Sequence, residues 1–168
     1  MSEAPTPNEI GGWETLAREA ACRLESGGDL TDLQQFLTFN LDGASYAIPV
    51  ERVREIVRIR PITPVPRLPV EVLGVISLRG EIVEVVELRR RLGLEPTEPA
   101  RRNRIIVVHG SDGSIAGLLV DGVTEVLSAE ESDLRAASGD AVESLCVRGD
   151  EFVSLLDLDR VLEIDGDQ

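Results

Sequence analysis

The chain repeats itself at an offset of about 70 residues. Asp42-Gly43 falls on Asp112-Gly113. The run Ile48, Val50, Val53, Glu55, Ile56, Val57 falls on Leu118, Val120, Val123, Glu125, Val126, Leu127. Glu81, Ile82, Val83, Val85, Val86, Leu88, Leu92 falls on Glu151, Phe152, Val153, Leu155, Leu156, Leu158, Leu162. Arg79-Gly80 meets Arg148-Gly149 one residue out of step, which reads as a one-residue difference in a turn. Apolar positions, turn residues and charges coincide together. The chain from about residue 35 onward is therefore two copies of one small unit, at about 35–95 and 104–165. A solenoid needs at least three repeats. Two copies predict two similar subdomains packed together, with function at or beside their seam.

Within each copy the punctuation predicts strands. Phe36–Leu41, the Asp42-Gly43 turn and Ser45–Ile48 form a hairpin. After Pro49, the residues Val50, Val53, Ile56 and Val57 fall on one face of a short helix. Pro61, Pro64, Pro66 and Pro69 exclude regular structure over 61–69, save an edge segment. Val72–Leu78 and Ile82–Leu88 make a second hairpin about Arg79-Gly80, followed by a short helix Leu88–Leu92. The loop 94–103 joins the copies. Copy two repeats the order: Ile105–Val108, Ser114–Val120, a helix Val123–Leu127, a polar stretch 128–141, Val142–Val147, Phe152–Leu156 and a helix Leu158–Ile164. Aromatics make up only 3% of the chain, so Val, Leu and Ile build the core, a bias toward strands. Short strands with abrupt turns fit small closed barrels, because closure removes exposed edges.

Ahead of the repeat, residues 1–34 form an N-terminal arm, and 35–168 form the folded domain. Trp13, Leu16, Ala17, Ala20 and Leu24 have helical spacing over 13–25, ended by Ser26-Gly27-Gly28. The arm reads as a helix that docks Trp13 on the domain, a loose tether or a partner-binding element. It lies outside the repeat and is expected to be dispensable for folding. The net charge of −14 repels nucleic acid and anionic lipid. Every basic residue is Arg, and local basic patches are possible at Arg89-Arg90-Arg91 and Arg101-Arg102. Residues 1–12 lack the apolar core of a signal peptide, and no apolar run has transmembrane length. A soluble cytoplasmic protein is expected, with Cys22 and Cys146 as reduced, small apolar residues.

The residues of catalysis are missing. His109 is the single histidine and stands at a strand end. No G-x-S-x-G, Walker loop, G-x-G-x-x-G or H-E-x-x-H is present. Glu130-Glu131 with Asp133 is an acidic loop cluster, with a weak cation site as its functional reading. The chain is expected to be a binding module with no catalytic residues, no cofactor and no metal.

The segment Gly74-Val75-Ile76-Ser77-Leu78-Arg79-Gly80-Glu81-Ile82-Val83-Glu84-Val85-Val86-Glu87-Leu88-Arg89 resembles the signature of the chemotaxis coupling protein (CheW) family. Two more stretches resemble landmarks of that family. One runs from Tyr46-Ala47-Ile48-Pro49-Val50 through Val53-Arg54-Glu55-Ile56, the other from Leu119 to Leu127. Ser77, Glu84 and Glu87 depart from the family's Asn, Pro and Asp. The resemblance implies two five-stranded, SH3-like barrels with short helices. It implies a non-enzymatic adaptor in the cytoplasm, recruited to membrane-associated arrays. There it would link chemoreceptor cytoplasmic tips to the regulatory domain of the chemotaxis histidine kinase. One barrel would pair with a barrel of the kinase, and the seam region would grip the receptor hairpin.

By motif matching, Val53, Glu55, Gly74, Arg79 and Val126 fall where the family makes these contacts or holds them in shape. Val53 and Val126 read equally as core, and Gly74 as a backbone bend. Glu55 and Arg79 are expected to form a salt bridge fixing the first barrel, with Glu125 and Arg148 as the equivalent pair in copy two. Two alternatives stay open: a similar scaffold of another sensory or polar-localisation array, whose arm binds a different partner, or a piece of a larger signalling protein.

Overall fold

The computed structural model describes residues 33–137, 139 and 141–163, with the side chain of Arg148 left undescribed. The helix read over 13–25 and Cys22 lie outside the described residues. Eleven strands follow in order: β1 (Leu33–Leu41), β2 (Ala44–Pro49), β3 (Val53–Arg58), β4 (Val72–Leu78), β5 (Glu81–Glu87), β6 (Arg104–His109), β7 (Ile115–Val120), β8 (Gly122–Glu130), β9 (Leu134–Ala136), β10 (Val142–Arg148) and β11 (Glu151–Leu156). Two short helices close the copies, α1 (Leu88–Arg91) and α2 (Leu158–Leu162).

The strands form a six-stranded sheet, ordered β8-β1-β2-β11-β10-β9, and a five-stranded sheet, ordered β3-β6-β7-β5-β4. Neither sheet is built from one copy alone. The β1–β2 hairpin of copy one sits in the sheet of copy two, where β2 pairs parallel with β11. The β6–β7 hairpin of copy two sits reciprocally in the sheet of copy one, where β7 pairs parallel with β5. Two similar β subdomains are present, and each takes its first hairpin from the other half of the sequence. The linkage explains the exchange. Only the 3-10 turn Val50–Arg52 separates β2 from β3, too little chain to fold the hairpin back onto its own copy's sheet.

The repeat survives in the ladders. β1 pairs with β8 as β6 pairs with β3, and each pair carries a bulge at the same place, at Thr124 between Val123 and Glu125 and at Arg54 between Val53 and Glu55. The outer strands of each sheet are brought together. In the six-stranded sheet β8 runs into β9 through the 3-10 turn Glu131–Asp133. In the five-stranded sheet the proline loop contributes one isolated bridge, Thr63 to Val75, with both backbone bonds at 2.9 Å. Four prolines cut to one residue what copy two keeps as β9.

Three expectations are corrected. The helices read over Val50–Val57 and Val123–Leu127 are strands β3 and β8, apart from the 3-10 turn. Val53, Glu55 and Val57 are buried in alternation with Arg54, Ile56 and Arg58, a period of two that fits these β-branched residues better than a helical face. The polar stretch 128–141 is no plain loop, since it holds the end of β8, the 3-10 turn and β9. The turns at Arg79 and Gly149 are the same length. Leu78 pairs with Glu81 and Arg148 with Glu151, so Gly149, not Arg148, is the structural equivalent of Arg79.

The core has three parts. Between the sheets lie Leu37, Phe39, Ile48, Val53, Ile106, Val108, Leu118, Val126, Leu156 and Val161. Val57, Ile76, Val83 and Ile105 fill the five-stranded barrel. Phe36, Ala47, Leu127, Cys146 and Leu155 fill the six-stranded one. Each fully buried Val, Leu or Ile contributes about 1.5–3 kcal/mol over leaving it exposed. The largest cluster is the one joining the sheets, so the two subdomains are one folding unit.

Candidate functional site

Glu55 is buried on β3, just after the bulge. Arg79 occupies the first position of the β4–β5 turn with φ of +53°, left-handed backbone that a non-glycine residue adopts at a cost of about 1 kcal/mol. From there Arg79 Nη1 donates to Glu55 Oε2 at 2.9 Å. Arg79 keeps half its side chain exposed while Glu55 keeps 4%. Two further bonds cross the same line. Arg54 Nη1 donates to Glu81 Oε1 at 2.9 Å, and Arg60 Nη1 to the Ser77 carbonyl at 3.2 Å. Together they close β3 onto the β4–β5 hairpin, the two ends of the five-stranded sheet. Glu55 Oε1 and Arg60 Nε are buried with no protein partner, so this closure is not fully satisfied.

The other sequence-derived site residues take different places. Val53 and Val126 are buried in the core between the sheets, with Val126 also lining a surface cleft beside β8. Gly74 lies at the β4 bulge with φ of +155°, and a Cβ there would stand 2.2 Å from the Thr63 carbonyl oxygen. Only glycine lets the proline loop pair with β4. The five positions therefore divide into one ion pair, one close backbone approach and two core side chains.

The Arg89–Arg91 run is not a free basic patch. Arg89 binds the Asp121 carboxylate with two bonds, at 3.1 and 2.6 Å, and the Glu95 carbonyl at 2.8 Å. Burial pushes the Asp121 carboxyl up, but the Arg89 guanidinium and the Asp42 backbone N–H outweigh it and hold it below the ordinary carboxylate value. Arg90 binds the buried Glu87 at 2.8 Å. Arg91 donates to the carbonyls of Val161 and Arg160, at the end of α2. A second tie of inverted sign lies one residue off the repeat: Arg52, after β2, binds Asp159 of α2, the equivalent of Arg89, at 2.7 Å. Its hydrogen bond lowers the Asp159 carboxyl. Both ties join copy one to copy two.

In the acidic loop, Glu130 and Asp133 cap the 3-10 turn, with the Glu130 N–H donating to Asp133 Oδ2 at 3.0 Å. Among the described residues no group of three or more His, Cys, Asp and Glu is placed to hold a metal. No described helix is long and apolar enough to cross a membrane. His109 is exposed at the end of β6, its carbonyl accepting from Arg52.

A family model described as the CheW-like domain matches residues 35–165, the whole repeat. The chain belongs to the CheW-like domain family. It is 34% identical over 116 residues to the chemotaxis protein CheW of Rhizobium meliloti (strain 1021), covering 69% of this chain and 71% of that one. It is 29% identical over 143 residues to the chemotaxis protein CheW of Helicobacter pylori, covering 82% and 86%. Scaffolding protein TtCheW of Thermoanaerobacter tengcongensis superposes with a TM-score of 0.74 at 28% identity, over 80% of this chain and 95% of that one. Sequence reasoning singled out the Glu55–Arg79 pair of this CheW-like domain, but missed Arg54–Glu81. The signal was present, since Arg54 and Glu81 flank Glu55 and Arg79 within the same two motifs.

Three apolar side chains are strongly exposed among the described residues: Val70 just before β4, and Ile82 and Phe152 on strands. Ile82 is 69% and Phe152 60% exposed. They are equivalent across the repeat, each one residue past the start of the second strand of its hairpin.

Proposed function

We propose that this CheW-like chain is a non-enzymatic chemotaxis adaptor that holds the cytoplasmic tip of a chemoreceptor and the regulatory domain of the chemotaxis histidine kinase in one complex. The observation that carries the reading is the match of the family model over the complete repeat, 35–165, together with its two-sheet scaffold. The solved relative from Thermoanaerobacter tengcongensis is a scaffolding protein. The work of such a protein is to present surfaces, and the described residues form two sheets joined by one shared core cluster.

In this reading the kinase docks on the five-stranded barrel. Ile82 is its exposed apolar anchor, and the ion pairs across its closure keep that face in shape. The half-exposed Arg79, held by Glu55 across the closure of that barrel, is the residue assigned to contact with the receptor tip. Val53, Gly74 and Val126 act from within, as packing and as the backbone approach that shapes the same barrel. The protein works in the cytoplasm and reaches the membrane only through the receptor array.

Purified full-length chain should bind the kinase regulatory domain one to one, with a Kd of about micromolar, as transient signalling interfaces do. Binding should survive moderate salt, because the contact is mainly apolar. A pull-down with receptor tips should retain all three components. Kinase binding that disappears in moderate salt, or a complex that excludes the receptor, would overturn the reading.

A further inference from the structure

Among the described side chains, the six-stranded barrel has no counterpart of the ion pairs that close the five-stranded one. There a cleft of about 910 Å³ opens between β8 and the β10–β11 hairpin, lined by Thr38, Ser45, Thr124, Glu125, Gly149 and Glu151 among others. Repeat symmetry identifies what is missing. Glu125 stands where Glu55 stands, and Glu151 where Glu81 stands. In the five-stranded barrel each of those carboxylates holds an arginine at 2.9 Å, Arg79 on Glu55 and Arg54 on Glu81. In the six-stranded barrel the positions of those arginines are taken by Gly149 and Thr124. The floor differs in the same sense. Thr38, buried at 5%, replaces Val107, and its hydroxyl is tied to the Glu125 backbone at 2.9 and 3.1 Å.

We propose that this cleft is a receptor for an arginine presented by a partner protein, held by the exposed carboxylates Glu125 and Glu151, whose equivalents in the other barrel, Glu55 and Glu81, each hold one arginine. Guanidinium suits the site better than ammonium, because its planar fork can bind a carboxylate with two parallel bonds. The chain's net charge of −14 favours approach of a cation. The volume admits a whole side chain with the turn that carries it, the way Arg79 arrives from a two-residue turn. The cleft would accept such a side chain in whichever array the protein serves. Arg148 holds the ladder position opposite Glu151, so a cation from the chain itself is the competing occupant.

The test is a titration of the full-length, 15N-labelled chain with the peptide acetyl-Gly-Arg-Gly-amide and with its citrulline counterpart. Saturable amide shifts at Glu125, Gly149 and Glu151 are expected with arginine and not with citrulline. Binding should weaken about tenfold in Glu125→Gln/Glu151→Gln, since charge-assisted bonds contribute more than neutral ones. It should vanish in Thr124→Arg/Gly149→Arg, which rebuilds the closure of the other barrel. No saturable shift, equal response to both peptides, undiminished binding in the Gln variant, or binding that appears only after Arg148→Ala would each overturn the proposal.

Discussion

The two barrels share one sequence plan, yet among the described side chains only one is closed by charge. At the bulge after the first exchanged ladder, both carry a glutamate. In the five-stranded barrel Glu55 is buried under Arg79, while in the six-stranded barrel Glu125 is exposed beside Gly149. Two substitutions, arginine for glycine in a turn and arginine for threonine at a bulge, separate a sealed edge from a cleft. Sheet topology is fixed by the apolar pattern, which both copies keep. The closure is decided by a few polar side chains, which are free to diverge. A duplicated fold can in this way retain its core and give its halves different surfaces.

The largest test of the contrast is at the β4 bulge. Gly74 has no room for a Cβ against the Thr63 carbonyl. The equivalent bulge in β10 carries Ser144, opposite Ala136 of β9. Gly74→Ala should cost about 2–4 kcal/mol, from strain and loss of the Thr63 bridge. Ser144→Gly should cost no more than about 1 kcal/mol, the backbone-entropy difference. Chemical denaturation of both variants measures this. Equal losses would mean that the proline loop is not held by that close approach.

The second test is electrostatic. Arg79→Gly makes the turn resemble Gly149 and removes a left-handed arginine, but it strands a buried carboxylate. The net loss should be about 1–3 kcal/mol, at the low end for a buried pair because Arg79 is half exposed. Glu55→Gln in the same chain should recover most of it. Glu125→Gln should change stability by less than about 0.5 kcal/mol, as at an ordinary surface position. A double-mutant cycle with strictly additive losses would show that Glu55 and Arg79 are uncoupled.

Much of this was legible in the sequence, and what was not has physical causes. The repeat, the hairpins and the proline loop could be read from apolar alternation and from Gly, Asp and Pro, because these are local rules. The strands β3 and β8 were misread as helices because Val53, Ile56 and Val57 satisfy a helical spacing as well as a strand with a bulge. In β3 the alternation Val53, Glu55, Val57 is unbroken, but its middle member is a buried glutamate, which hides the period of two in the sequence. The reciprocal hairpin exchange had no signal in either copy, since both copies offer the same pairing surfaces. It follows from the shortness of the Val50–Arg52 connection, a fact about distance. The partner of Glu55 was legible from its motif. The equivalent of Arg79 in copy two was not, because a shift of one residue put Arg148 in the strand and Gly149 in the turn.

A third test uses the two inverted ties between the copies. Asp121, with its carboxyl held below the ordinary value, stabilises the fold at pH above the unfolded value of about 3.9. That contribution is lost as pH falls through the lower, folded value. Asp159 is shifted in the same direction, but its side chain is 52% exposed and water screens it. Asp121→Asn should therefore lower stability at neutral pH and flatten the decline below about pH 4, and Asp159→Asn should do both less. Thermal melts from pH 7 to pH 2 would show it. Matching acid limbs for wild type and Asp121→Asn would mean that the Arg89 tie does not outlast Asp121's burial cost.

The smallest effect on stability, and the most telling for function, is expected at the pair of exposed apolar residues. Ile82 and Phe152 occupy equivalent positions on barrels that differ in closure. Neither buries much area in the free chain, so Ile82→Asp and Phe152→Asp should each shift stability by less than about 0.5 kcal/mol. Kinase binding should separate them. The Ile82 face is backed by a barrel whose edges are tied by Arg79–Glu55 and Arg54–Glu81, and so can meet a partner without reorganising. The Phe152 face adjoins the open cleft through Glu151. A preorganised surface loses less on association. Ile82→Asp should weaken kinase binding by about tenfold or more, the loss typical of a central apolar anchor, and Phe152→Asp by less than about twofold. The reverse order, measured by calorimetry on the full-length chain, would assign kinase docking to the six-stranded barrel and leave the sealed barrel for the receptor.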